Sequence, residues 1–72
     1  MNEYKIDFFW DEDANVWVAN SDEIPLALED GSLDKLMYRV KLAAPELIEM
    51  NNLPRYNSLF FNVKQRAKVA YV

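Results

Sequence analysis

At 72 residues the chain can build one modest core, and its 51% hydrophobic content, with two Trp, four Tyr and four Phe, is enough to fill it. Having neither Cys nor His, it has no disulfide staple, no thiolate or imidazole ligand for zinc, and no Ser-His or Cys-His nucleophile. The net charge of −4 is unevenly placed: residues 1–50 hold all twelve acids against Lys5, Lys35, Arg39 and Lys41, a local balance of −8, whereas residues 51–72 hold Arg55, Lys64, Arg66 and Lys68 with no acid, a balance of +4. A dispersed acidic surface disfavours non-specific nucleic-acid binding and suits a basic protein partner.

The start, Met1-Asn2-Glu3-Tyr4-Lys5, shows no basic patch ahead of an apolar run, and no apolar stretch approaches the roughly 20 residues that span a bilayer. A cytoplasmic, bacterial-type location is expected. Tyr4, Ile6, Phe8 and Trp10 alternate with Lys5, Asp7 and Phe9, the period of a half-buried strand. Asp11-Glu12-Asp13-Ala14-Asn15 breaks that period, and Asn15 tolerates the left-handed conformation that closes a short hairpin loop. Val16-Trp17-Val18-Ala19-Asn20 resumes as an antiparallel second strand. Pairing across the acidic cluster places Ile6, Phe8, Val16 and Val18 on one face, with Phe9 and Trp17 together on the other.

Ser21-Asp22-Glu23-Ile24-Pro25 reads as a turn-rich connector, followed by a short third strand, Leu26-Ala27-Leu28-Glu29, at a sheet edge. Ser32 is a good N-cap, Asp34 complements the helix dipole, and Leu33, Leu36, Met37, Val40, Ala44, Leu47 and Ile48 form one apolar stripe reaching about Met50. Pro45 lacks an amide proton and predicts a kink, or two helical segments meeting. Asn57 to Val72 is strand-like: Leu59, Phe61 and Val63 point one way, and residues 67–72 alternate again after Gln65-Arg66. This is one long bulged strand, a hairpin of two strands, or an exchanged strand. The expected fold is α+β, a β-β-β-α-β two-layer domain over residues 1–72, with one helix packed on a mainly antiparallel sheet.

Sites for chemistry are few. Gly31 is the only glycine, so phosphate-cradling loops are absent, and Asp11-Glu12-Asp13 lacks the Gly and the closing Glu of a calcium loop. A two-metal nuclease site would need acids on a strand, a helix and a later strand. Asp7, Glu46 and Glu49 supply the first two, but no acid follows Glu49. No cofactor, metal or catalytic residue is expected, and the chain reads as a non-enzyme. Phe60, Phe61 and Tyr71 near Lys64, Arg66 and Lys68 resemble a nucleic-acid stacking surface, although alternation sends Phe61 inward. Phe9, Trp17, Phe60 and Tyr71 are the candidate aromatic interface on the sheet face away from the helix, unless the C-terminal segment folds back over them.

The run Tyr4-x-Ile6-x-Phe8-x-Trp10-Asp11-Glu12, then Val16-Trp17-Val18-Ala19, Ser21-x-x-Ile24-Pro25, Gly31-Ser32-Leu33 and Ala44-Pro45-Glu46-Leu47-Ile48-Glu49-Met50-Asn51, resembles a HicB-like antitoxin domain. It is similar to the short bacterial branch of that superfamily, a domain of unknown function without a C-terminal DNA-binding domain. The resemblance covers essentially the whole chain and departs at Pro25-Leu26, where the family usually has Pro-Gly. It implies a partial ribonuclease H-like fold without nuclease activity, often a homodimer, and a protein partner: a small basic ribonuclease toxin masked by the antitoxin. Operator binding is not expected of this chain alone, since it ends at Val72. On that reading Asp11, Glu12 and Asp13, with Asp22 and Glu23, steer a basic partner, and Phe9 and Trp17 anchor it or a second copy. A homodimeric orphan domain with a regulatory role, and a nucleic-acid binder, stand as alternatives.

Overall fold

A computed structural model describes residues 3–55, 58–67 and 69–71. In chain order it contains β1 (Glu3–Asp11), β2 (Val16–Asn20), β3 (Ala27–Asp30), α1 (Leu33–Met50) and β4 (Ser58–Lys64). This is the expected β-β-β-α-β order, with the helix on one face of the sheet. The strands lie in the order β3-β2-β1-β4. Both β1–β2 and β2–β3 are antiparallel, while β4 joins the outer side of β1 in parallel.

The hairpin register differs from the expected one by a single residue. Asp11 pairs with Val16, so Trp10 faces Trp17, Phe9 faces Val18 and Phe8 faces Ala19. The loop is therefore residues 12–15, closed by Asn15 N–H donating to Asp11 O at 2.8 Å with Asn15 at φ 58°. Asp11 Oδ1 also accepts from the backbone N–H groups of Asp13 and Ala14 at 3.0 and 3.2 Å, so Asp11 closes the last rung of the ladder instead of opening the loop. Because side chains alternate with period two, one residue of slip turns over every side chain of the second strand. Trp17 thus joins Ile6 and Phe8 on the helix side, while Val16 and Val18 share the opposite face with Phe9.

The core forms where α1 meets the near face of the sheet. Tyr4, Ile6, Phe8 and Ala19 pack against Leu36, Val40, Ala44 and Ile48, with Ile24 and Leu26 closing the β2–β3 end. Phe61 on β4 adds an edge-to-face contact with Phe8 at 4.9 Å between ring centroids. The connector reaches the core through a tight turn about Pro25, Leu26 N–H donating to Ile24 O at 2.7 Å. Lys5, which lies past the end of the β2 ladder, is satisfied by side chains instead: its N–H donates to Glu23 Oε1 and its carbonyl accepts from Ser21 Oγ, both at 2.8 Å.

Ser32 caps α1 by accepting from Lys35 N–H, and Arg39 ties the first half of the helix to β3 through Glu29 O at 2.8 Å and Asp30 at 3.4 Å. The helix is a single element through Pro45. Pro45 leaves the carbonyl of Lys41 without its usual donor, yet Ala44 and Ile48, on either side of it, are both buried in the same interface. Asn52, at φ 53°, ends the helix: its N–H bonds Glu49 O, and Leu53 N–H reaches back to Ile48 O at 3.0 Å. Tyr4 Oη donates to Pro54 O at 2.6 Å and fixes the path from helix to β4. Among the described residues no helix is long and apolar enough to cross a membrane.

Of the expected terminal strand, Asn57, Lys68 and Val72 lie outside the described residues. Its first part is β4; residues 65–67 and 69–71 form neither a continuation of that strand nor a second one.

Candidate interaction surface

The helix lies over β2 and β3 and closes the middle of β1, where Ile6 and Phe8 are fully buried, but leaves β4 on the same face only partly roofed. The parity that buries Tyr4, Ile6 and Phe8 carries Trp10 past the end of that roof, where it remains 38% exposed. Trp10 and Trp17 meet edge to face, ring centroids 5.7 Å apart. With Phe9 and Val63 they line an open recess of about 820 Å³ at the hairpin end of the sheet, flanked by Glu12 from the loop and by Lys64, Gln65 and Arg66 from the end of β4. A separate, more open groove of about 480 Å³ lies between α1 and β4, lined by Met37, Lys41, Leu59 and Phe61.

The opposite, open face carries Phe9, Val16 and Val18, all half-buried, and Phe60, which is 52% exposed. Polar contacts cross between β1 and β4 here. Asn62 Nδ2 donates to Asp7 Oδ1 at 2.9 Å, Lys64 Nζ lies 3.9 Å from the same oxygen, and Ser58 Oγ donates to Glu3 at 2.9 Å. The Asn62 hydrogen bond, helped by Lys64 and Lys5 against partial desolvation, holds the Asp7 carboxyl below its ordinary pKa. Asp30 is lowered too, first by the Ser32 N–H it accepts at 2.9 Å and then by Arg39.

The structure divides the candidate residues instead of gathering them. Phe9 and Phe60 lie on the open face as expected, separated by the Asp7 network. Trp17 does not join them; it is half-buried on the helix side against the core. Tyr71 is 94% exposed and belongs to no strand. The expected stacking surface is split as well, since Phe60 and Phe61 point to opposite faces. The acids also separate. Glu12 and Asp13 are exposed at the hairpin tip, whereas Asp22 and Glu23 lie beyond the other end of β2, about 17 Å away for five residues at ~3.4 Å each. Glu23 is engaged with Lys5, and Asp11 with its own loop. The sequence reading missed Trp10 and Val63 as surface residues. Their parity marks them as inward, and only the lateral placement of the helix exposes them.

Residues 3–72 match the family described as a domain of unknown function, DUF1902. The chain belongs to this family. A crystal structure of the hypothetical protein TTHA1013 from the extremely thermophilic bacterium Thermus thermophilus is similar to it, with 30% identity, a TM-score of 0.75, and coverage of 97% of this chain and 100% of that one. No curated protein matches the sequence.

Proposed function

We propose that this DUF1902 chain is a non-catalytic, HicB-like antitoxin module that binds and masks a small basic protein, a ribonuclease toxin in the reading the HicB resemblance suggests. The observation that carries the proposal is the pairing of an acidic hairpin tip, Glu12 and Asp13, with a recess built on Trp10 and Trp17. The tip acids Glu12 and Asp13 steer a basic partner and the partly exposed indoles supply the anchor, with Lys64 and Arg66 on the opposite side of the recess left to meet acidic groups of that partner. The disposition of the acids supports a non-enzymatic role. Asp7 faces outward on the open face, while Glu46 and Glu49 lie on the helix over the other face, so the sheet stands between them. A cytoplasmic setting fits this role.

The test is titration of the purified chain with the product of a short basic reading frame adjacent to its gene, followed by calorimetry and by the partner's RNA cleavage. The expected result is stoichiometric binding that weakens with added salt and silences cleavage. Trp10→Ala is expected to lose more than about 1 kcal/mol of affinity, with an unchanged circular dichroism spectrum. Absence of binding, or metal-dependent RNA cleavage by this chain that Asp7→Asn abolishes, would overturn the reading.

A further inference from the structure

The recess at the hairpin end lies where one strand outlasts its neighbour. The β1–β4 ladder stops at Phe9 and Lys64, whereas the β1–β2 ladder runs on to Asp11 and Val16. Trp10 and Asp11 therefore extend past the end of β4. The direction of the Trp10 backbone follows from Lys5, whose N–H and C=O both turn toward the β2 side, to Glu23 and Ser21. Backbone groups alternate along a strand, so those of Trp10, at the opposite parity, turn toward the side that β4 vacates. Among the described residues no backbone donor meets the Trp10 carbonyl there. A strand acceptor thus stands open beside a floor of two indoles.

The walls of the recess differ in charge. Glu12 comes from the loop, and Lys64 and Arg66 stand across from it at the end of β4. Among the described residues neither Glu12 nor Arg66 has an ion-pair partner, and Lys64 lies at the outer limit of one, 3.9 Å from Asp7. Both walls are therefore open to a ligand's charges. A ligand of one sign is repelled by one of them, and a nucleic-acid strand, whose phosphates are all negative, is disfavoured by Glu12 for that reason. The indole floor takes an apolar side chain, and the open carbonyl takes a backbone N–H.

We propose, building on the reading of this recess as the anchor for a protein partner, that it receives an extended, bipolar segment of that partner. The segment's backbone donates to the Trp10 carbonyl, and one apolar side chain rests on Trp10 and Trp17. A cationic side chain faces Glu12 and a carboxylate faces Lys64 and Arg66. In an extended chain alternate side chains face the same way, so the two charges stand two residues to either side of the apolar one. A partner that is basic overall thus docks through a stretch carrying both signs. The pairing fixes which end of the segment lies at the hairpin tip, and it rejects uniformly basic segments that the tip acids attract from a distance.

Both tryptophans of the chain line the recess, so the intrinsic fluorescence of the full-length protein reports its occupancy. The probes are three end-capped pentapeptides with a central leucine and serine spacers. Their first and last residues are glutamate and lysine, two lysines, or two glutamates; capping removes the terminal charges. The mixed peptide is expected to shift the tryptophan emission saturably. The other two are expected to bind at least about threefold more weakly, each having exchanged an exposed ion pair for a repulsion. Glu12 and Arg66 are exposed, so reversing either leaves the chain folded, as circular dichroism will check. Glu12→Lys is expected to move the preference to the two-glutamate peptide, and Arg66→Glu to remove the disadvantage of the two-lysine peptide. A mixed peptide that does not saturate, binding without charge preference, or a preference that either reversal leaves unmoved would each sink the proposal. Titration with the basic protein judges the masking reading separately. If that protein binds and Arg66→Glu leaves its affinity unchanged, the bipolar site falls and masking stands. If the mixed peptide saturates and the basic protein does not bind, the site stands and the toxin falls.

Discussion

The two faces of this sheet are built from alternate residues of the same strands and hold the fold by different means. On the helix side Ile6 and Phe8 are fully buried, and their neighbours Leu36 and Val40 are equally closed to solvent. On the open side the central residue is Asp7, which links β1 to β4 through Asn62 and Lys64, while Phe9 is half-buried and Phe60 largely exposed. Residues of one kind, a single position apart, therefore have unlike roles: Phe8 against Phe9, Phe61 against Phe60. Burial on the near face supplies the driving force; polar contacts on the far face fix how the parallel strand is aligned.

That contrast can be broken most forcefully at Phe8. Phe8→Ala is expected to cost about 3–5 kcal/mol, a large share of what so small a domain possesses, whereas Phe9→Ala should cost clearly less. Urea denaturation of the two variants decides it, and equal losses would erase the distinction between the faces. The next effect is on acid stability. Asp7 and Asp30 have folded pKa values below the unfolded value of about 3.9, so their stabilisation is fully present above that value and is lost as pH falls through the folded pKa values. Asp7→Asn is expected to flatten part of this acid limb, measured as unfolding midpoints across the acidic range; an unchanged slope would remove Asp7 from the account. The smallest effect belongs to Phe60. Phe60→Ser should lie within about 0.5 kcal/mol of the wild type by thermal melting, and a larger loss would mean that the open face is covered.

Much of this architecture was legible in the residues. Alternation marked the strands, Ser32 and the apolar stripe marked the helix from Leu33 to Met50, and Asn15 marked the loop. What the pattern could not supply was the count of loop residues. Treating Asp11 as loop pairs Trp10 with Val16; its carboxylate, by accepting two loop amides, makes it the final strand residue instead and moves Trp17 across the sheet. Pro45 does not divide the helix into two, since the packing of Ala44 and Ile48 against the sheet holds it as one element despite a missing hydrogen bond. The recess was invisible for another reason: it depends on where the helix lies sideways over the sheet, which no single-residue pattern encodes. The separation of Asp22 and Glu23 from the hairpin tip follows from the length of β2 and could have been counted.

The parallel alignment of β4 on β1 joins positions 55 apart in sequence, through Ser58 to Glu3 and Asn62 to Asp7. Closing so long a stretch of chain costs entropy before any contact repays it, whereas the hairpin and the helix need only neighbours. The hairpin and the helix, whose contacts are local, are therefore expected to form before β4 docks, with one flank of the sheet bare until then. On that order β4, although it sits beside the first strand, is the last piece of the sheet to be laid down.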